Sequence, residues 1–148
     1  MNAEQKNFIE VVGAIASADM KNSGVAASLT TAQAILESAW GKSELTKTGN
    51  ALFGIKATKD WKGKTLTRKT TEYEDGKKVQ VDAEFRAYDT WEDSVKDHST
   101  FLKKYKRYAK VIGETDYKEA CNAVAAAGYA SDPEYAKKLI ELIETYEL

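Results

Sequence analysis

One acidic residue, Glu37, lies in a sequence context that suits a catalytic carboxyl group rather than a solubilising surface charge. It lies in the run AQAILESAWGKS, in which small and apolar side chains surround a single carboxyl. On a helical wheel Glu37 falls at the margin of the apolar stripe, so its carboxyl should be partly withdrawn from water. Partial burial disfavours the charged form and raises a pKa, which is what a general acid near neutral pH needs. The alternative is a boundary glutamate that only reaches solvent.

A second candidate acid is Glu72, in the stretch 64–88. Polar and apolar residues alternate along this stretch, which is rich in threonine, valine and aromatic residues. The dipeptide Asp75-Gly76 at its centre is a strong hairpin signal. A two-residue turn there places Glu72 opposite Val79, on the same face as the apolar side chains of the returning strand. The alternative is an edge-strand glutamate beside a lysine, and a slip of one residue in register would turn it outward.

Two carboxyl groups that face each other across a cleft lined with aromatics form an arrangement used for glycosidic bond hydrolysis. Aromatic rings can stack on the apolar faces of sugars, while amides can bond to hydroxyl or acetamido groups. The residues that we predict to contact such a substrate are Gln33, Trp40, Asn50, Phe53 and Tyr73. Tyr129 directly follows Gly128 after a run of small residues, so a loop can point its side chain at the cleft.

Other reactive side chains are scarce. With one cysteine and one histidine, the chain can form neither an internal disulfide nor a metal site built from clustered cysteines or histidines, and we expect no metal and no cofactor. Cys121 lies among small residues, which favours a buried thiol over a nucleophile. His98 is interpreted as a helix-surface or capping histidine.

Periodicity predicts five helices and one hairpin. The spacing of apolar residues places the helices at 3–20, 25–40, 91–105, 117–128 and from Ser131 or Asp132 to the end. Asn22 or Ser23 is the predicted cap of the second helix, and Asp89 or Thr90 that of the third. Segment 44–63 shows no sustained period and is predicted to be loop with short turns. The expected fold class is therefore α+β, with helices dominating.

Charge narrows the possible partners. The 22 basic and 23 acidic side chains nearly balance, which argues against a general nucleic-acid binder. Residues 41–110, however, carry 17 basic and 11 acidic side chains, an excess that could favour an anionic polymer. No apolar run approaches the roughly 20 residues needed to cross a bilayer, and the N-terminus lacks the pattern of a secretory signal.

Five blocks follow one another along nearly the whole chain: AQAILESAWGKS, GNALFGIKA, WKGK, TTEYEDGKKVQVDAEFRAYDTWEDSVKDH and AAAGYASDPEYAKKL. Together they resemble the glycoside hydrolase family 73 endo-β-N-acetylglucosaminidases, the peptidoglycan-cleaving domains of bacterial autolysins, flagellar wall-penetrating proteins and some phage lysins. The resemblance implies one lysozyme-like catalytic domain over residues 1–148. It also implies a mainly helical lobe and a small β-hairpin lobe, about 64–88, that flank a substrate groove.

The resemblance also assigns roles to residues. Glu37 matches the family's catalytic acid, and Glu72 is the best match to a second carboxylate on the β-lobe, with Glu74 and Glu84 as alternatives. Tyr129 matches the tyrosine of the GYA block, and the resemblance implies a catalytic role for it. Asn50 and Phe53 match the NxLFGIK block. Two positions depart from the family pattern: Ala39 stands where glycine is common, and Ala51 where a second asparagine is common.

The implied reaction is hydrolysis of the N-acetylglucosaminyl-β-1,4-N-acetylmuramic acid bond of peptidoglycan, with Glu37 as acid and Glu72 as base. A route in which the substrate's own acetamido group attacks remains open, as do a muramidase, a lytic transglycosylase and a non-catalytic wall-binding module. The expected partner is the glycan strand, without nucleic acid or membrane insertion, and the expected state is a monomer. We expect action at the bacterial cell wall, reached by secretion or by release from a phage.

Overall fold

The computed structural model describes residues 1–148 as six α-helices, one short 3-10 helix and one antiparallel hairpin. Their order is α1 (Ala3–Ser23), α2 (Ala27–Ser38), α3 (Glu44–Gly49), β1 (Lys64–Glu74), β2 (Lys77–Ala87), α4 (Trp91–Lys104), the 3-10 helix (Lys106–Tyr108), α5 (Tyr117–Ala126) and α6 (Tyr135–Tyr146). The predicted α+β class, with helices dominating, is confirmed.

The helical lobe is built around α2. This helix packs against α1, α5 and α6, and it buries side chains on most of its circumference. One hydrophobic cluster joins α2 to α5 and α6, and a second joins it to α1 and to residues 52–55. A helix that is apolar on several faces belongs inside a domain. The last turn of α2, which carries Glu37, is therefore fixed by packing on both sides.

The chain turns sharply after α2. Ala39, Trp40 and Gly41 all have positive φ, at 51°, 62° and 80°. Gly41 is favoured by its left-handed conformation, and a Cβ there would also approach the ring of Phe8 to 3.1 Å, closer than an ordinary contact. At Ala39, where the family commonly has glycine, the left-handed conformation costs an L-residue roughly 1–2 kcal/mol. The departure at this position therefore carries backbone strain.

The hairpin has the predicted register. Asp75 and Gly76 form the two-residue turn, and Glu72 pairs with Val79. Along both strands exposed and partly buried residues alternate, and Glu72 lies on the partly buried face with Val79. The turn chemistry and the apolar alternation agree, and together they exclude a slip in register.

The base of the hairpin is fixed to the helical lobe. The Arg86 N–H donates to the Ile55 carbonyl at 2.9 Å, which ties β2 to the segment after α3. The Arg86 guanidinium donates to both carboxylate oxygens of Asp97 on α4, each at 3.2 Å, and both side chains are largely buried. Paired, charge-assisted bonds of this kind are strong and directional. The hairpin is thus anchored at its base, while its tip extends away from the core.

Two predictions about helix positions were wrong. Residues 44–49, predicted as loop, form α3, which begins after Ser43, whose Oγ accepts the Thr46 N–H at 3.3 Å. Six residues are too few to show a helical period in sequence. The final helix begins at Tyr135 rather than at Ser131 or Asp132, because the Asp132 carboxylate accepts the Glu134 N–H and closes a turn instead.

The predicted caps had mixed outcomes. Thr90 caps α4, since its Oγ1 accepts the Asp93 N–H at 3.1 Å. Asn22 and Ser23 do not cap α2, because α1 continues through Ser23 and α2 begins after Ala26 without a side-chain cap. Burial of α2 by its neighbours stabilises this helix where a cap is missing.

Candidate active site

A cavity of about 440 Å³, called the groove below, opens at the end of α2. Its walls come from α2, the segment after α3, the end of α4 with the 3-10 helix, and the loop after α5. It is lined by Glu37, Phe53, Gly54, Ile55, Lys56, Thr58, Phe101, Tyr105, Arg107, Tyr129 and Ala130. Aromatic and apolar surface with a few charged groups suits sugar rings, which have apolar faces and polar edges.

Glu37 is the one acidic residue that lines the groove. Burial raises the pKa of its carboxyl above the ordinary value, and a hydrogen bond from Tyr135 opposes part of that rise. The Tyr135 hydroxyl donates to Glu37 Oε1 at 3.1 Å. A carboxyl that keeps its proton to higher pH inside a groove is suited to general acid catalysis.

Tyr129 and Phe53 also line the groove. The Tyr129 ring stacks on that of Tyr135, with centroids 5.9 Å apart, and its buried hydroxyl has no hydrogen-bond partner in the protein. Burial, reinforced by the neighbouring Tyr135 and Glu37, raises the pKa of the Tyr129 phenol well above its usual range. Tyr129 therefore stays neutral and offers an unused hydroxyl. Phe53 is held by stacking on His98, with ring centroids 4.0 Å apart.

Glu72 is not itself part of the groove lining, but it is bonded to a residue that is. The Lys56 ammonium, which lines the groove, lies 3.1 Å from Glu72 Oε1. The two side chains are 57% and 43% exposed, so this ion pair is worth only about 0–1 kcal/mol. The contact can open at little cost, and Glu72 is held at the groove only loosely.

Two residues predicted to contact substrate pack against other parts of the protein instead, Gln33 fully buried and Trp40 partly buried. Gln33 is fully buried, and its amide is bonded to His98 and Tyr135. Trp40 packs edge-on against Phe8 and Tyr146, with centroids 5.9 and 5.1 Å apart. Neither side chain lines the groove.

Two further residues predicted to contact substrate also lie elsewhere. The Asn50 amide donates to the backbone carbonyls of Tyr88 and Asp89, so it ties the end of α3 to the end of the hairpin. Tyr73 is 69% exposed near the hairpin tip and points to the face opposite Glu72. Of the predicted binding residues, only Phe53 lines the groove.

The interpretation of His98 as a surface or capping residue was wrong. Its side chain is fully buried, and burial lowers the pKa of His98 to about 3, so the imidazole is neutral. The signal was present in the sequence, because Val95, His98 and Leu102 recur at helical spacing on the buried stripe of α4.

Sequence reasoning did not identify Tyr135 and Arg107. Tyr135 reaches Glu37 from 98 residues away, a contact that no local spacing predicts. Arg107 lines the groove, with its guanidinium 4.8 Å from the centroid of Tyr105 and 4.7 Å from that of Tyr108. It forms no salt bridge with any acidic side chain. Its guanidinium donates to the Tyr108 hydroxyl at 3.3 Å, so a cationic group without an acidic partner lies in the same groove as Glu37.

The remaining features that could point to another function are a thiol, metal ligands and membrane-spanning helices. Cys121 is buried, and burial raises the pKa of its thiol to about 12, which leaves it protonated and a poor nucleophile. No group of three or more histidine, cysteine, aspartate or glutamate side chains is arranged to hold a metal ion. None of the helices combines the length and apolar character that a membrane span requires.

Comparison with protein families bears directly on this groove. A family model described as Glucosaminidase, mannosyl-glycoprotein endo-beta-N-acetylglucosaminidase, matches residues 13–148. The chain belongs to the glucosaminidase family. Its resemblance to glycoside hydrolase family 73 is confirmed, so the chain is a glycoside hydrolase domain.

Curated relatives of this glucosaminidase include two bacterial proteins. It is 40% identical over 150 residues to the exo-glucosaminidase LytG of Bacillus subtilis, an alignment that covers 98% of this chain and 52% of LytG. It is 35% identical over 148 residues to the peptidoglycan hydrolase FlgJ of Salmonella typhimurium, covering 97% of this chain and 47% of FlgJ. The glucosaminidase thus spans about half the length of these relatives.

The fold also matches a solved structure. The catalytic domain of the autolysin Auto from Listeria monocytogenes superimposes with a TM-score of 0.89 at 33% identity, covering 99% of this glucosaminidase and 86% of that domain. The lysozyme-like architecture, with a helical lobe and a hairpin beside a groove, is confirmed.

Proposed function

We propose that this glucosaminidase hydrolyses the β-1,4 bond between N-acetylglucosamine and N-acetylmuramic acid in bacterial cell-wall glycan, acting as a single catalytic domain over residues 1–148. The observation that carries the proposal is the half-buried Glu37 carboxyl, which lines a groove with aromatic walls and has a raised pKa. The names of LytG and FlgJ, a glucosaminidase and a peptidoglycan hydrolase, support the same substrate.

In this proposal Glu37 acts as the general acid. It protonates the bridging oxygen as the glycosidic bond breaks, so that the departing sugar leaves as a neutral alcohol. Burial keeps the proton on Glu37 to higher pH than an exposed glutamate would allow. After the transfer, the hydrogen bond from Tyr135 stabilises the carboxylate that forms.

Glu72 is the proposed base. Once released from Lys56, it activates a water molecule that attacks the anomeric carbon from the face opposite the leaving group. This scheme inverts the anomeric configuration and requires the two carboxyls about 6.5–9.5 Å apart in the working state. Because the hairpin is anchored only at its base, movement of its tip can bring Glu72 to that position.

A second route uses the acetamido group of the substrate as the nucleophile, and the free Tyr129 hydroxyl favours it. That hydroxyl lies buried at the groove without a protein partner, so it is available to orient an acetamido oxygen. Attack by the acetamido group retains the configuration, whereas attack by water inverts it. Proton NMR of the first-formed product decides between the routes: the inverted anomer supports Glu72 as base, and the retained anomer contradicts it.

Analysis of the new reducing ends in digested peptidoglycan tests the proposed function. Reducing N-acetylglucosamine is the expected product. Reducing N-acetylmuramic acid would identify a muramidase, and 1,6-anhydro ends a lytic transglycosylase. If no new ends form, the domain binds the wall without cutting it, and the proposal fails.

Replacing Arg107 by glutamine is expected to raise KM for cell-wall glycan several-fold and to change kcat little. The Arg107 guanidinium, which has no acidic partner in the protein, attracts anionic groups on the glycan or its peptides, and such attraction between exposed charges weakens with salt. The measurement is KM at low and high ionic strength, with the salt dependence expected to be weaker in Arg107→Gln.

Lys103→Gln is the matched control, since Lys103 is exposed on α4, lies outside the groove and carries the same charge. If both variants shift KM equally, the effect reflects net charge rather than a contact made by Arg107.

A further inference from the structure

Three buried residues connect the core of the helical lobe to Glu37. His98 Nε2 lies 2.8 Å from Gln33 Oε1, Gln33 Nε2 lies 2.9 Å from the Tyr135 oxygen, and the Tyr135 oxygen lies 3.1 Å from Glu37 Oε1. These three residues, called the buried triplet, come from α4, α2 and α6 and are at most 2% exposed. They are shielded from bulk solvent, and the protein groups that they bond to in this chain of contacts are one another and Glu37.

The tautomer of His98 sets the direction of these hydrogen bonds. His98 is neutral, so it carries one ring proton, and its Nδ1 has no partner in the protein. A proton on Nδ1 would be a buried donor without an acceptor, which folded proteins avoid more strictly than an unused lone pair. The proton therefore belongs on Nε2, where it is donated to Gln33 Oε1.

The remaining protons follow from that assignment. With its oxygen facing His98, Gln33 donates from Nε2 to the Tyr135 oxygen. Tyr135 has one hydroxyl proton, and Glu37 Oε1 is its acceptor. In this arrangement the His98 ring N–H, the Gln33 amide and the Tyr135 hydroxyl each donate one hydrogen bond along the chain. Glu37 Oε1 is the last acceptor.

We propose that the buried triplet gives the two carboxyl oxygens of Glu37 different roles: Oε1 accepts the Tyr135 hydroxyl, and Oε2 carries the proton that is transferred to the glycosidic oxygen. This inference rests on the proposed function of Glu37 as the acid. His98, Gln33 and Tyr135 are then positioning residues, which act on the substrate only through Glu37. The triplet does not contact the glycan. It keeps the proton off Oε1 because Oε1 already accepts the Tyr135 hydroxyl.

Few other charged or titratable side chains share the groove with Glu37. The titratable or charged side chains that share the groove are Lys56, Tyr105, Arg107 and Tyr129. Burial raises the pKa values of the Tyr129 and Tyr135 phenols, so both remain neutral. Glu37 is the one acidic side chain that lines the groove, and the tests below follow its deprotonation.

The first test reads the tautomer of His98 in the unaltered protein. His98 is the only histidine, so its two ring nitrogens can be assigned in a ¹⁵N NMR spectrum without a variant. We expect a protonated, pyrrole-type Nε2 and an unprotonated, pyridine-type Nδ1 that show no titration between pH 5 and 8. A protonated Nδ1 would reverse the hydrogen bonds and overturn the proposal.

The second test removes the donor to Glu37. In Tyr135→Phe the carboxylate loses a hydrogen bond that favours its charged form, so the pKa of Glu37 should rise. Because activity is lost as the acid deprotonates, the alkaline limb of the kcat profile should move to higher pH. At its optimum, kcat should fall on the order of ten- to a hundredfold, the effect of one hydrogen bond to a charged group, while KM changes little.

Carbon-13 NMR titration of the Glu37 carboxyl, assigned by its loss in Glu37→Gln, gives a readout that does not need activity. A higher midpoint in Tyr135→Phe supports the proposal, and an unchanged or lower midpoint overturns it. Tyr117→Phe is the matched control, because Tyr117 also donates to a glutamate, Glu144, outside the groove. If the Glu37 midpoint shifts but Glu37→Gln remains active, the proposed function fails while the hydrogen-bond assignment stands.

Discussion

Replacing Glu37 by glutamine is expected to lower turnover of cell-wall glycan by at least about 100-fold, because general acid catalysis contributes on the order of 10² to 10⁴. Glutamine has nearly the same shape, and its amide oxygen can still accept the Tyr135 hydroxyl at the position of Oε1. What it lacks is the acidic proton. Release of reducing ends measures the activity, and the thermal unfolding transition shows whether the fold is kept.

Glu141→Gln is the matched control for this experiment. Glu141 is an exposed glutamate on α6, outside the groove, so its replacement removes one negative charge without touching the site. We expect full activity from that variant. Retention of more than a few per cent of activity by Glu37→Gln would place the acid elsewhere.

Replacing Glu72 by glutamine is expected to lower kcat by about 10²-fold, at the lower end of the range for residues that transfer protons. The loss should be smaller than at Glu37, because a substrate acetamido group can attack in place of activated water. Azide does not need a base to be nucleophilic, so it should restore turnover. The measurement is kcat with and without azide, together with the configuration of the azide product.

Comparison with Glu74→Gln and Glu84→Gln shows whether the base is assigned to the right residue. Glu84 lies on the opposite face of the hairpin from Glu72, and Glu74 is exposed next to the turn. Either one giving the larger, azide-rescued loss would move the base away from Glu72. If none of the three variants loses activity, no glutamate of the hairpin acts as base.

Local chemistry explains why part of this structure could be predicted. The Asp-Gly turn and the alternating strands determine the hairpin register, because the two-residue turn sets the pairing and the alternation excludes a slip of one residue. The Thr90 cap of α4 is likewise a contact between neighbours in sequence. The placement of Glu37 at the margin of a buried stripe followed from the helical period alone.

Predictions failed where a residue's environment depends on distant parts of the chain. Gln33 carries a side chain that is normally exposed, and only the tertiary fold brings it between His98 of α4 and Tyr135 of α6. Asn50 matched a family block, yet its amide bonds to carbonyls 38 and 39 residues away. Contacts between residues so far apart in the chain are not predicted by the periodicity of helices or strands.

The sequence by itself determined the fold class and the hairpin, and it singled out Glu37 as the candidate acid, since each depends on turn chemistry, periodicity or a block of adjacent residues. Only the tertiary structure decided that Tyr135 bonds to Glu37, that Arg107 enters the groove and that Lys56 holds Glu72. The physical reason is that burial and hydrogen-bond partners, which set the protonation of Glu37, arise when elements far apart in the chain pack together.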